Sequence, residues 1–262
     1  MIRLKKSLGQ NLLTDRNILN KIISLSYLNQ KNVIEIGPGT GNLTKEIIKN
    51  NPKNLLLIEK DKNLIFDLNL LTKNKNVSII NEDILKLDLE KLIKKKTIVL
   101  GNLPYNISTQ ILIKFIKFNK WPPAFDKLIF MFQKEVGEKI IAKFNDKNYS
   151  RLSIFTASRL KILSYFYVSK NCFFPRPKVD SMVILFKPIL NKNLNLKNIN
   201  NLEYVTNIIF SGKRKMINKA LKKLKIHNKQ TLDKIGIDPS LRPEKINENV
   251  YYKIAEFYEK TK

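Results

Sequence analysis

Four short apolar segments, each followed by glycine or polar residues, constrain the fold of this 262-residue chain more than any other feature. The segments are residues 33–36, 55–58, 77–80 and 98–100, and amphipathic segments typical of helices separate the first three. Alternation of buried strands with such helices favours a mostly parallel sheet with helices on both faces. Because parallel strands end at one edge of a sheet, the residues that follow them should gather where open α/β sheets bind ligands.

The residues after the first three segments are suited to binding a nucleoside. The first segment leads into a G-x-G-x-G loop with Gly37, Gly39 and Gly41, and glycine lets a backbone approach a ligand closely. This spacing differs from the G-x-G-x-x-G of dinucleotide-binding proteins. The second segment ends at Glu59, and a carboxylate at this place usually accepts hydrogen bonds from a ribose diol. The third leads to Asp83, which could accept a hydrogen bond from an adenine amino group.

The fourth segment ends in Asn102-Leu103-Pro104-Tyr105. The Asn102 amide offers two donors and an acceptor, Pro104 stiffens the turn, and Tyr105 offers a flat face for stacking. Together they suit a planar substrate that carries an exocyclic amine, such as adenine. Taken alone, this segment could equally be a plain turn at the end of a strand. The four strand ends taken together favour a ligand site.

These segments resemble the class I S-adenosylmethionine-dependent methyltransferases that act on the N6 atom of adenine. More narrowly, the chain resembles the ribosomal RNA adenine dimethyltransferases, from about residue 6 to residue 244. Further segments similar to that family are residues 6–11, 131–136, 149–153 and 177–181, and residues 213–215 and 236–244 are similar to its small-subunit members. The chain departs from the family pattern at Leu12, Ser150 and Arg176, where Phe, Gly and Pro are usual. These departures bear on contacts with RNA and not on the reaction.

The resemblance implies a fold and a reaction. The fold is a Rossmann-like, mostly parallel seven-stranded sheet with helices on both faces and one late antiparallel strand, plus a small C-terminal all-helical domain. The reaction transfers methyl groups from S-adenosylmethionine to two adjacent adenosines near the 3′ end of small-subunit (16S) rRNA. It gives N6,N6-dimethyladenosine during ribosome biogenesis, and the substrate rRNA lies within a pre-30S-like subunit.

The resemblance also assigns roles to individual residues. Asn102, Pro104 and Tyr105 act on the target base, where Tyr105 stacks and the Asn102 side-chain oxygen and the Pro104 carbonyl accept hydrogen bonds from its amine. The residues expected to bind the cofactor are Asn11, Leu13, Gly37, Gly39, Gly41, Glu59, Asp83 and Asn102. The residues expected to bind RNA are Arg151, Arg176, Lys178, Lys213, Arg214 and Lys215.

The pattern of apolar residues changes after residue 188. Before it, further strands are predicted at residues 127–132, 162–168 and 182–186. After it comes a polar, low-complexity segment at residues 191–198, and then the apolar spacing becomes helical. We therefore predict a catalytic domain at residues 1–188 and a small helical RNA-binding domain at residues 189–262. The lysines of the second domain could grip RNA, or they could form a solvated helix face.

Composition favours a polyanionic partner and excludes several kinds of site. The chain has 49 Lys and Arg against 22 Asp and Glu, a net charge of +27, although heavy use of Lys throughout could also reflect compositional bias. A single Cys excludes a disulfide framework and a cysteine metal site, and a single His excludes a histidine-rich metal site. No signal peptide or apolar span is recognisable. We expect a cytoplasmic monomer with no metal and no membrane partner.

Two other functions remain open at this point. One keeps the reaction and changes the substrate to large-subunit rRNA or DNA adenine, although residues 213–215 and 242–244 argue against it. The other is a non-catalytic ribosome assembly factor on a methyltransferase fold. The intact glycine loop, Glu59 and the segment from Asn102 to Tyr105 argue for catalysis.

Overall fold

A seven-stranded sheet forms the core of the protein, as the sequence predicts. The computed structural model describes residues 11–73, 75–190, 194–212 and 214–262. Within these ranges the strand order of the sheet is β4-β3-β2-β5-β6-β9-β7, and a separate two-stranded sheet pairs β1 with β8. The strands are β1 (Leu12–Leu13), β2 (Asn32–Ile36), β3 (Asn54–Glu59), β4 (Val77–Asn81), β5 (Thr97–Asn102), β6 (Phe125–Gln133), β7 (Leu160–Val168), β8 (Phe173–Phe174) and β9 (Ser181–Pro188).

Helices connect these strands and make up the C-terminal part of the chain. They are α1 (Arg16–Ser24), α2 (Asn42–Lys49), α3 (Lys62–Thr72), α4 (Leu89–Leu92), α5 (Ser108–Ile116), α6 (Lys134–Ile141), α7 (Arg151–Ala157), α8 (Asn200–Phe210), α9 (Asn218–Lys223), α10 (Lys229–Ile235) and α11 (Glu248–Thr261). Asp15 caps the first helix, since its side chain accepts a hydrogen bond from the Ile18 N–H at 3.0 Å.

The strand register brings the predicted site residues to one edge of the sheet. β2 lies between β3 and β5 and pairs with both in parallel, with Glu35 opposite Leu57 on one side and Leu100 on the other. β4 pairs with β3, and β6 with β5, also in parallel, whereas β9 runs antiparallel to β6. The chain leaves β2 towards β3 on one side, and β5 lies on the other. This is the topological switch point at which open α/β sheets bind ligands.

Several elements were not predicted. The pairing of β1 with β8 joins Leu12 to Phe174 and Leu13 to Phe173, far apart in the sequence. Strands of two residues are too short to show a periodic pattern, so only the three-dimensional structure reveals them. Helix α7 was also missed. Its first turn carries a capping box in which Ser150 and Ser153 satisfy each other's backbone groups.

The protein divides into two compact units. The first contains the sheet and comprises residues up to 137 together with 162–188. The second comprises residues 138–161 and 189–262, so that α7 packs with α8 and α11. In this second unit the Tyr252 hydroxyl donates to the Ile154 carbonyl at 3.3 Å, and the Tyr251 hydroxyl donates to Pro243 at 2.8 Å. The domain boundary after residue 188 stays a prediction.

Among the described helices, none is both long enough and apolar enough to cross a membrane.

A buried carboxyl group lies in the central strand β2. Glu35 is 1% exposed, and the Thr44 hydroxyl donates a hydrogen bond to its Oε2 at 2.6 Å. Burial raises the pKa of Glu35 from 4.5 to about 8, and the nearby carboxylate of Glu59 acts in the same direction. Glu35 is therefore a neutral acid at pH 7 in the folded protein.

The Glu35→Gln variant should be more stable than the wild type, by an amount that grows with pH. In the unfolded chain Glu35 loses its proton near 4.5, whereas in the fold it keeps it until about pH 8. Unfolding releases a proton between these values, so the stability of the wild type falls as pH rises through this window. The melting temperatures of the wild type and of Glu35→Gln, measured by thermal unfolding, should be equal at pH 4.5. They should differ by roughly 5–10 °C at pH 8.

The matched control is Glu46→Gln, which removes a surface carboxylate paired with Lys49 on α2. Its melting temperature should follow that of the wild type across the pH series. A Glu35→Gln advantage that is constant with pH would contradict a protonated Glu35.

Candidate active site

An open cleft lies at the carboxyl edge of the sheet. Seven of the eight residues expected to bind the cofactor line it, namely Asn11, Leu13, Gly37, Gly39, Glu59, Asp83 and Asn102. Gly41 does not line the cleft. It is the left-handed N-cap of α2, with φ +79°, and a side chain there would meet Leu68 and Leu71. Pro104 and Tyr105 also line the cleft.

The glycine loop folds tightly against the end of β3. Gly37 and Gly39 have φ of +67° and +57°, a conformation that L side chains rarely adopt. The Gly37 N–H donates to the Ile58 carbonyl at 2.9 Å. A Cβ at Gly39 would lie 3.0 Å from the Leu12 side chain, so the space beside this backbone is kept by the absence of a side chain. The loop thus exposes backbone to the cleft at Gly37 and Gly39.

Both carboxylate oxygens of Glu59 are held by backbone donors. Oε1 accepts from the Asp61 N–H at 2.8 Å, and Oε2 accepts from the Gly39 N–H at 3.1 Å. Burial raises the pKa of Glu59, and these two donors oppose that effect. A carboxylate has about four acceptor positions, so the fixed group can still accept hydrogen bonds from a ligand.

Asp83 lies on the neighbouring strand end and is paired with a lysine. Its Oδ2 accepts from the Lys60 ammonium at 2.8 Å, and its Oδ1 accepts from the Leu85 N–H at 2.9 Å. The Lys60 hydrogen bond holds the pKa of Asp83 below its usual value. Asp83 is therefore an ionised acceptor beside Glu59. Lys60 was not predicted as a site residue, although its position directly after Glu59 is the signal that could have identified it.

The side-chain amide of Asn102 has a defined orientation. Its Nδ2 donates to the Asn11 carbonyl at 2.8 Å, which makes Oδ1 the end of the amide that can accept from a ligand. A second side chain ties the same N-terminal segment to the site, since Asn42 Nδ2 donates to the Leu13 carbonyl at 2.9 Å. These two hydrogen bonds hold residues 11–13 beside the glycine loop.

Tyr105 and Pro104 follow Asn102 in the cleft. The Tyr105 hydroxyl is 2.6 Å from the Ser181 hydroxyl, and burial raises the pKa of the phenol, which stays neutral. The Pro104 carbonyl accepts from the Ile107 N–H at 3.1 Å, so one of its two lone pairs remains for a ligand. Ser181 belongs to residues 177–181, which resemble a family segment, but no role was predicted for it. Here Ser181 fixes the Tyr105 ring.

The residues expected to bind RNA lie in both units. In the first unit, Arg176 and Lys178 are exposed between β8 and β9. In the second, Arg151 begins α7 and is partly buried, whereas Arg214 and Lys215 are exposed between α8 and α9. Lys213 lies outside the described residues. Contact of these residues with RNA stays a prediction.

The cleft combines fixed hydrogen-bond acceptors with an aromatic ring. Glu59, Asp83 and Asn102 Oδ1 can accept from hydroxyl or amino groups, and Tyr105 offers a face for stacking. Neither His nor Cys is among the residues that line the described cleft. Such a site can position a planar amine and a polar cofactor, and it offers no strong base at neutral pH.

The chain matches the family model described as ribosomal RNA adenine dimethylase over residues 1–260. The "Ribosomal RNA small subunit methyltransferase A" of Pelagibacter ubique is 45% identical, with 98% of each chain covered. The protein of that name from Mycoplasma mobile is 40% identical, with 97% of each chain covered.

Solved structures agree with the fold. A dimethyladenosine transferase from Plasmodium falciparum superposes with a TM-score of 0.77 at 26% identity, covering 95% of this chain and 98% of the other. The 23S rRNA methyltransferase ErmE gives a TM-score of 0.67 at 21% identity, covering 94% and 98%, which shows a shared fold. With the full-length family match, the close relatives and this cleft together, the chain belongs to the ribosomal RNA adenine dimethylase family.

Proposed function

We propose that this protein transfers methyl groups from S-adenosylmethionine to the N6 amines of two adjacent adenosines near the 3′ end of small-subunit rRNA. The observation that carries the proposal is the orientation of Asn102, whose Oδ1 is turned to accept from an amine beside the acceptors of a nucleoside site. The names of the relatives that cover nearly the whole chain support the small-subunit substrate.

The cofactor would lie across the ends of β2, β3 and β4. Glu59 would accept from the ribose hydroxyls and Asp83 from the adenine amine, while Gly37 and Gly39 leave room at the backbone. Asn11 and Leu13 would close the cleft from the N-terminal side. S-adenosylmethionine, when bound, supplies an electrophilic methyl group on a sulfonium.

The target adenosine would enter from the side of Tyr105. It must leave its stack in the RNA, which costs a few kcal/mol and costs least in a loop. Stacking on Tyr105 offsets this by about 1–3 kcal/mol. Asn102 Oδ1 and the Pro104 carbonyl would accept from the two N6 hydrogens. This would draw the nitrogen lone pair out of conjugation with the ring and aim it at the methyl carbon. As the N–C bond forms, the C–S bond would break, and S-adenosylhomocysteine would be the leaving group.

Positioning supplies most of the rate enhancement in this mechanism. Holding two reactants in line can be worth effective molarities of roughly 10⁵ M or more. The alkylated amine is strongly acidic and can give its proton to water, so the site needs no general base. The same geometry accepts the monomethylated base, because the Asn102 amide and the Pro104 carbonyl are separate acceptors.

The alternative functions are less well supported. A large-subunit substrate would match ErmE, but that likeness is one of fold. A purely non-catalytic assembly factor would not need Asn102 Nδ2 tied to Asn11 or Tyr105 tied to Ser181. The proposal includes a pre-30S-like particle as the substrate, a cytoplasmic location, a monomeric protein and no metal.

Removal of the Asn102 side chain should abolish catalysis. In Asn102→Ala, methyl transfer to undermethylated small subunits should fall at least about 10³-fold, since the amine loses its acceptor in the transition state. The dissociation constant for S-adenosylmethionine should change by only a few-fold. Labelled methyl transfer and calorimetry measure the two quantities separately.

The control is Asn69→Ala, which truncates an exposed asparagine on α3 and should retain wild-type turnover. Retained turnover in Asn102→Ala would overturn the role of Asn102.

Glu59 should govern cofactor affinity. Glu59→Gln removes the charge and turns an N–H₂ group towards the N–H of either Asp61 or Gly39, so the site loses a charge-assisted acceptor. Loss of a hydrogen bond of about 1.5–3 kcal/mol predicts a dissociation constant for S-adenosylmethionine that rises roughly 10- to 150-fold. Isothermal titration calorimetry measures this, with Glu46→Gln as the control. An unchanged dissociation constant would remove Glu59 from the cofactor site.

A further inference from the structure

Two tyrosines on the outer strand β7 present their rings to solvent. Tyr165 is 48% exposed and Tyr167 is 51% exposed. They lie on the same face of the strand, and their ring centroids are 6.3 Å apart in an edge-to-face arrangement. The chemistry of the cleft described above uses neither of them.

The opposite face of β7 holds the strand in place. Phe166 points to that face, packs against the buried core, and has the Lys21 ammonium 4.3 Å from its ring centroid. Because Phe166 anchors the strand, the two tyrosines are presented on a fixed backbone. A preorganised aromatic surface loses little entropy when it binds a ligand.

The tyrosine pair is connected to the cleft through a short series of contacts in the first unit. The Lys134 ammonium lies 5.4 Å from the Tyr167 ring centroid, and the Lys134 N–H donates to the Asp180 carbonyl at 2.9 Å. The next residue, Ser181, holds the Tyr105 hydroxyl. Since Lys134 directly follows β6, Tyr167 lies at the same edge of the sheet as Tyr105.

We propose that Tyr165, Tyr167 and Lys134 form a stacking surface for an unpaired nucleotide that flanks the target adenosine. The inference rests on the proposed function and extends it to the neighbouring RNA. Aromatic rings next to a cation match the faces of bases and the phosphates between them. Exposed Arg176 and Lys178 on the same unit, and the net charge of +27, favour RNA over an apolar protein surface.

Loss of the rings should weaken substrate binding and leave chemistry intact. In the Tyr165→Ala/Tyr167→Ala variant, KM for undermethylated small subunits should rise about 10-fold or more, with kcat and the S-adenosylmethionine dissociation constant unchanged. The Tyr165→Phe/Tyr167→Phe variant keeps the rings and should restore the wild-type KM. The control Tyr27→Ala removes a tyrosine that is 71% exposed before β2 and should have no effect.

A cross-linking experiment identifies what covers the surface. A Tyr167→p-benzoylphenylalanine variant, irradiated in complex with the same undermethylated subunits, should cross-link to rRNA near the methylated adenosines. Cross-linking to a ribosomal protein or to a second copy of this chain would overturn the proposal. An unchanged KM in the double alanine variant, or a double phenylalanine variant as weak as it, would also overturn it.

The two proposals fail in different ways. If the wild-type protein transfers no methyl group to these subunits, the proposed function fails. If the wild type is active and only the KM of the double alanine variant is unchanged, the stacking surface alone is wrong.

Discussion

The parallel pairing of β2 with both β3 and β5 is the constraint on which the site depends. It sets the ends of three strands side by side, so that the glycine loop, Glu59 and Asn102 meet although the sequence separates them widely. Their side chains and backbone then hold one another, with Gly39 donating to Glu59 and Asn102 donating to Asn11. A shift of one residue in the register would turn these groups to opposite faces of the sheet.

The antiparallel strand β9 completes the site from the other side. It begins where the parallel strands end, because it runs in the opposite direction, and its first residue lies opposite Gln133. That residue, Ser181, is therefore delivered to the edge of the sheet at which Tyr105 lies, and it fixes the tyrosine hydroxyl. The reversed direction of β9 thus has a consequence for the site, since it brings Ser181 to the hydroxyl of the ring proposed to stack on the target base.

The fold and the outline of the cleft could be predicted from sequence because they depend on local patterns. Continuous apolar segments identify the buried strands. The residue that follows each strand is the one placed at the ligand-binding edge of the sheet. Partners brought together over long sequence distances could not be predicted in the same way. The Lys60 ion pair with Asp83, the Asn11 carbonyl at Asn102 and the two-residue strand at Leu12 all depend on three-dimensional proximity.

Burial-dependent chemistry is also outside the reach of sequence patterns. In the sequence, Glu35 is simply a polar residue among the apolar residues of a strand. Only its burial beside Thr44 in the structure shows that it is a neutral acid. The exposed rings of Tyr165 and Tyr167 fit a strand pattern equally well whether they face a core or solvent. The structure therefore adds the burial and exposure of these side chains, whereas the strands that carry them could be predicted from sequence.

The most direct test is transfer of labelled methyl from S-adenosylmethionine to undermethylated small ribosomal subunits, followed by nucleoside analysis of the rRNA. We expect N6,N6-dimethyladenosine at two adjacent positions near the 3′ end. Tight, salt-dependent binding to the subunits without methyl transfer would contradict it and favour a non-catalytic assembly factor.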